Sequence, residues 1–147
     1  MYVPTHSSYT IHTVNINNCA KNFKVYAYKK GEIMTKSLQN TQTWENLLKA
    51  FAGESMGRMR YTYYSKAAKE EGYVQIANIF LETAENEKAH AKRFFKFLGE
   101  KNIPSIIQNA QYPIGLSDKT LENLQFAADG EKEENTILYP SFAKIAK

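Results

Sequence analysis

Glu54, the pair Glu87 and His90, and the pair Glu131 and Glu134 lie on the apolar stripes of three helical segments, where leucine or phenylalanine would be expected. A carboxylate taken out of water without a partner costs several kcal/mol or changes its pKa. A bound metal ion removes that cost by supplying positive charge. Glu-x-x-His on one helix with a lone Glu on its neighbour is the spacing by which helical bundles hold two metal ions between facing helices. Oxygen ligands with imidazole point to iron, or to manganese, rather than to structural zinc with its preference for thiolates. Two ions that each change oxidation state by one electron suit the two-electron chemistry of peroxide or O₂.

Each acid also has a plainer reading. Glu54 has Arg58 one turn on, the spacing of an exposed ion pair worth a few tenths of a kcal/mol. Glu87 has no such neighbour: Thr83, Ala84, His90 and Ala91 surround it one turn away, and none carries a fixed positive charge. Glu131 and Glu134 are like charges one turn apart and could belong to a solvated acidic face through Glu133. Tyr61, two turns beyond Glu54, is either a core tyrosine or a hydrogen-bond donor to a ligand carboxylate.

Three long helices must position these groups. Thr41 or Thr43 can cap the first, whose stripe runs Leu47, Ala50, Phe51, Glu54, Gly57, Tyr61, Ser65 and Ala68 and which Gly72 ends. The second starts near Tyr73, presents Ile76, Phe80, Thr83, Glu87, His90, Phe94 and Leu98, and ends at Gly99. Residues 99–116, with Pro104, Pro113 and Gly115, form a crossover longer than a tight helix–helix turn. Ser117 is expected to cap the third helix, with a stripe of Leu121, Leu124, Ala128, Glu131, Glu134, Leu138, Phe142 and Ile145 and a kink at Pro140.

The chain repeats itself. Glu45-Asn46-Leu47 through Ala52-Gly53-Glu54 recurs 77 residues later as Glu122-Asn123-Leu124 through Asp129-Gly130-Glu131. With one residue of slippage, Ala67-Ala68-Lys69 recurs as Ile145-Ala146-Lys147. Helices one and three therefore read as copies, and the repeat predicts a fourth helix with its own Glu-x-x-His, which the sequence does not contain.

Length and composition fit one all-α domain. The 147 residues are 43% hydrophobic and 23% charged, the balance of an ordinary globular protein. The formal charge of +4 is concentrated in residues 1–33, where four lysines face Glu32 alone; the rest carries 15 basic against 14 acidic residues, which removes the basic stripe that nucleic-acid binding needs. Residues 1–33 lack helical period and read as a disordered extension or as codons upstream of the true start, so that the structured domain is 34–147 and Cys19, His6 and His12 bind nothing. A single cysteine allows no disulfide framework and makes a reducing, cytoplasmic setting the default. No stretch approaches the roughly 18 apolar residues of a membrane span.

The stretches Asn46-Leu47-Leu48-Lys49-Ala50-Phe51-Ala52-Gly53-Glu54-Ser55, Arg60-Tyr61-Thr62-Tyr63-Tyr64 and Glu82 through Leu98, continued by Ala128-Asp129-Gly130-Glu131 and Tyr139-Pro140, closely resemble rubrerythrin from Met34 to Lys147. The resemblance implies a ferritin-like helical bundle with a carboxylate-bridged pair of non-haem irons that reduces hydrogen peroxide in oxidative-stress defence. It implies Glu54, Glu87, His90 and Glu131 as metal ligands, Glu134 as the glutamate that exchanges with histidine during redox, and Tyr61 and Tyr139 as tyrosines beside the cluster; Glu134 and Tyr61 are then the catalytic candidates. Departures accompany it: helix four and the rubredoxin domain are absent from the sequence, so electrons would come from an external rubredoxin-like donor. Met56, Gly57, Met59 and Ala89 stand where the family usually has Gln, Ala, Asn and Glu.

Three helices leave an apolar face uncovered, which predicts association, a homodimer in the simplest case. Three readings stay open at this point. The chain is a peroxidase subunit completed by another chain, an iron-binding oligomer in which two hairpins supply two copies each of Glu54, Glu87 and His90, or a truncated rubrerythrin without turnover.

Overall fold

A computed structural model describes residues 38–98 and 108–146. The expectations for residues 1–33 and for Pro104 lie outside them. Among the described residues all regular structure is helical: α1 (Gln42–Glu70), α2 (Val74–Leu98), α3 (Thr120–Glu133), a five-residue π-helical turn (Glu134–Leu138) and α4 (Tyr139–Ile145). The α3–α4 run is the third long helix of a ferritin-like bundle.

Of the two threonines offered as a cap, Thr41 takes the role: its Oγ1 accepts from the Trp44 amide at 3.2 Å. Twenty-nine residues of helix follow, about 44 Å at the usual rise. Gly72 ends α1 with φ 87°, a left-handed conformation that glycine adopts without a Cβ penalty. The chain then reverses into α2, and the two helices pack along their lengths.

Two apolar clusters hold the helices together. One joins Tyr61, Tyr64 and Ala68 of α1 to Ala77, Phe80 and Ala84 of α2 and Ala127 of α3. The other joins Leu47 and Ala50 to Phe94 of α2 and to Tyr139 and Phe142 of α4. Phe80 is 1% exposed, and burying a side chain of that size contributes about 2–3 kcal/mol. Between the clusters, at the level of Glu54 and Gly57, the interior turns polar.

The third helix departs from expectation at both ends. Ser117 does not cap it; the helix begins at Thr120 after Lys119, which makes no side-chain cap. Its first amide is served from elsewhere: the Glu71 carboxylate, just past the end of α1, accepts from Thr120 N at 2.6 Å. Asn123 pins Ser117 instead, accepting from its amide at 2.9 Å and donating to its carbonyl at 2.7 Å. Phe142 is buried as expected, but Leu121, Ala128 and Ile145, also placed on the buried stripe by spacing, are exposed, and Asn123, Ala127 and Tyr139, which the stripe left out, are buried. Beyond Glu133 a uniform helical period fails because the pitch changes at Glu134. The amide of Tyr139 donates to the Glu134 carbonyl five residues back, the register of a π turn, and Pro140 follows with no amide to give. The kink expected at Pro140 thus takes the form of a widened turn before it.

Among the described residues no helix is long and apolar enough to cross a membrane.

Candidate metal centre

α1 presents Glu54 and α2 presents Glu87 and His90 to the polar gap between the two clusters. Ligand atoms from all three lie within 4.8 Å of one another. His90 Nδ1 is 3.1 Å from Glu54 Oε2 and 3.8 Å from Glu87 Oε2, so one ring nitrogen faces both carboxylates. Glu54 is 1% exposed and Glu87 6%. Arg58, the surface partner that spacing allowed for Glu54, turns away and pairs with Glu85 at 3.3 Å. Among the described residues neither Glu54 nor Glu87 has a lysine or arginine within ion-pair distance.

The electrostatics follow from that burial. Removal from water pushes the Glu87 carboxyl up to about 8, with the facing Glu54 adding to the rise against the pull of His90. At His90 burial disfavours the charged ring, but the hydrogen bonds and charges of Glu54 and Glu87 outweigh it and lift the pKa to about 9. Glu87 and His90 thus retain protons where a divalent cation would replace them. The donor set of two carboxylates and one imidazole nitrogen fits iron or manganese.

Glu131 and Glu134 stand one step further out. Both are half-buried, on α3 and on the π turn. Burial raises Glu131, with the Glu87 charge adding to it, and burial with the charges of Glu131 and Glu87 raises Glu134 to about 8. The five sequence-derived ligand candidates therefore gather in one region, three in mutual contact and two electrostatically coupled to them.

Two tyrosines cross between helices to reach these acids. Tyr61 Oη on α1 donates to Glu131 Oε1 at 2.8 Å, and Tyr139 Oη on α4 donates to Glu54 Oε1. Both phenols are raised, by burial first and then by the carboxylates they touch, so each keeps its proton and acts as a donor. Their rings are fixed by aromatic neighbours, Tyr61 stacking on Phe80 and Tyr139 on Phe94.

Two features escaped the sequence reading. Gly57 lies against Glu87: a Cβ there would sit 3.5 Å from Glu87 Oε2. Arg60 lowers, by its charge, the pKa of Glu131 and of Glu134, while its buried Nε has no hydrogen-bond partner. Glycine on the buried stripe of a long helix, at a cost of about 1 kcal/mol relative to alanine, was the available signal for the first.

The comparisons agree with this geometry. A family model described as Rubrerythrin matches residues 45–147. The chain is 60% identical over 112 residues to a rubrerythrin of Clostridium perfringens, covering 76% of this chain and 57% of that protein. It is 63% identical over 114 residues to rubrerythrin-1 of Clostridium acetobutylicum (76% and 58%) and 53% over 119 residues to a rubrerythrin of Porphyromonas gingivalis (81% and 58%). The chain thus spans a little over half the length of these relatives. A metal-type cluster of Glu54, Glu87 and His90, placed within the matched region, and this level of identity lead to one conclusion: the chain belongs to the rubrerythrin family.

Proposed function

We propose that this protein is a non-haem di-iron protein that reduces hydrogen peroxide, with electrons from an external rubredoxin-like donor. One observation carries the reading: Glu54, Glu87 and His90 bring two buried carboxylates and an imidazole Nδ1 within 4.8 Å, with no lysine or arginine paired to either carboxylate among the described residues. Glu54, Glu87, Glu131 and His90 would hold the irons, with Glu134 as a further ligand. Bound there, the irons supply two one-electron steps, the number needed to break an O–O bond. The chain's own groups do the rest. Tyr139 and Tyr61 orient Glu54 and Glu131 by donating to them, and the aromatic stacks keep those donors in place. Glu134 on its carboxyl and Tyr61 on its Oη carry protons beside the centre, and two protons are consumed for each O–O bond broken.

The repeat calls for the remaining ligands to come from a second Glu-x-x-His helix. Leu121, Ile137 and Ile145 are 68%, 64% and 49% exposed along the α3–α4 run, the kind of face such a helix covers, which supports completion of the site by association.

The test is iron content per chain after anaerobic reconstitution, in the natural protein and in Glu54→Ala, Glu87→Ala and Glu131→Ala, with peroxide-dependent oxidation of reduced rubredoxin as the activity. The reading expects iron to be lost in the first two variants and turnover in the loaded protein. Iron retained in Glu131→Ala would instead favour paired α1–α2 hairpins, and loaded protein without turnover would remove the enzyme assignment.

A further inference from the structure

A cavity of about 240 Å³ lies between α1, the segment preceding α3, and the π turn. It is separated from the metal centre by single side chains: Tyr139, which lines it, also donates to Glu54, and Glu134 lines it beside Tyr139. The α1 side offers Ala50, Gly53 and Met56, and the crossover offers the Tyr112 ring, which would lie 3.8 Å from a Cβ at Gly53. Lys49 and Arg60 are offset in part by Glu133, while Glu134 keeps its proton to about 8, so the lining is at most weakly positive near neutral pH.

Size decides what such a space can take. An apolar cavity of about 150 Å³ holds benzene, whereas a water's share of liquid volume is about 30 Å³. Hydrogen peroxide, two oxygens long, needs only a small part of the space. The small residues of α1 and the aromatic ring of Tyr112 leave room for a hydrocarbon group of four to nine carbons with a polar end directed at Tyr139 and Glu134.

We propose that this cavity is a subsite for the alkyl group of an organic hydroperoxide, which makes neutral alkyl hydroperoxides substrates alongside hydrogen peroxide. The inference rests on the peroxide-reducing function proposed above and names its substrate class. In the reaction R–O–OH gains two electrons, drawn one at a time from the rubredoxin-like donor, and two protons. The O–O bond breaks, the outer oxygen leaves as water and the inner one stays on carbon as the alcohol R–OH. Gly53 sets the width of the subsite: it precedes Glu54 in α1, but a Cβ on it would point at the Tyr112 ring, 3.8 Å away.

Two measurements on the full chain test it. In the iron-loaded protein with reduced rubredoxin, tert-butyl hydroperoxide should be turned over, and Gly53→Leu should lower its kcat/KM at least tenfold while hydrogen peroxide turnover stays within twofold. In the iron-free natural protein, labelled at its methionine methyl groups, cumyl alcohol should shift the Met56 resonance and leave that of the exposed Met59 in place. Turnover of hydrogen peroxide but not of the alkyl hydroperoxide, an equal loss for both substrates in Gly53→Leu, or an unmoved Met56 signal would each overturn the subsite and leave the peroxide reading intact. Turnover of neither substrate by loaded protein would overturn both.

Discussion

Tyr61 and Glu131 meet across 70 residues of chain, the phenol donating to the carboxylate at 2.8 Å, and Tyr139 and Glu54 make the same contact in the opposite sense. Each helix of the repeat supplies one acid and one tyrosine, and each tyrosine serves the other helix's acid. Tyr61 follows Glu54 by seven residues, but Tyr139 follows Glu131 by eight. The extra residue is absorbed in the π turn, whose five-residue hydrogen bond from Tyr139 to Glu134 restores the tyrosine to the facing position. The one-residue slippage in the sequence repeat therefore has a structural counterpart, and it falls beside the candidate ligand Glu134.

Removing one of these donors leaves a buried acid short of a hydrogen bond. Tyr139→Phe keeps the ring on Phe94 and deletes only the hydroxyl that serves Glu54, which is 1% exposed. A hydrogen bond to a charged or ionisable group is worth about 1.5–3 kcal/mol. The variant should lose that much stability in urea titrations of the iron-free protein and bind iron more weakly. Tyr61→Phe should cost less, because Glu131 is only half-buried and water can replace the phenol. Equal losses in the two variants would contradict the burial argument.

The iron-free protein should become less stable as pH rises. Glu87 and Glu134 keep their protons to about 8 against an ordinary 4.5, and His90 keeps its proton to about 9 against 6.5. Over this range the folded chain binds more protons than the unfolded one, so unfolding free energy falls with increasing pH. The stabilisation is fully present below each unfolded value and is lost as pH passes through each folded one. Thermal melts from about pH 5 to about pH 9 should show a falling Tm without iron. Ligation needs deprotonated carboxylates and a neutral imidazole, so the rise in Tm on adding iron should grow over the same range. A flat or rising Tm in the iron-free protein would show that these groups are not held as described.

Asn123 ties the crossover to α3 and should be costly to replace. It is 0% exposed and makes two hydrogen bonds to the backbone of Ser117. Asn123→Ala should lower unfolding free energy by about 2 kcal/mol, read from the denaturation midpoint at unchanged slope. A loss below about 0.5 kcal/mol would mean that the Ser117 turn holds its shape without the side chain.

Much of this arrangement could be read from residue spacing, and the part that could not has a physical cause. On α1 and α2 the period placed Glu54, Glu87, Tyr61 and Phe80 inward because both helices keep regular pitch. On α3 the same method put Leu121 and Ala128 inside and missed Asn123 and Ala127, although the repeat pairs these two with Asn46 and Ala50, both buried on α1; Tyr139 was missed for another reason, since the extra residue is taken up at the π turn just before it. Caps failed for a related reason. Ser117 looked like a local cap, but the Thr120 amide is served by Glu71, 49 residues away, and a long-range acceptor leaves no spacing signal. Pro140 marked a disturbance without specifying a π turn.

Gly57 is the residue whose replacement most directly separates stability from metal binding. Alanine is favoured over glycine inside a helix by about 1 kcal/mol, and the added methyl would meet Glu87 Oε2 at 3.5 Å, an ordinary contact that displaces nothing. The iron-free Gly57→Ala protein should therefore be more stable, by up to about 1 kcal/mol. The resemblance places alanine at this position in the family, so the added methyl should leave the Glu87 carboxylate able to serve a metal ion. Iron affinity should be retained while the melting temperature of the iron-free protein rises. A several-fold loss of iron binding would show that Glu87 needs the space that Gly57 leaves, and a lower Tm would show that the contact at 3.5 Å is less tolerant than its distance suggests.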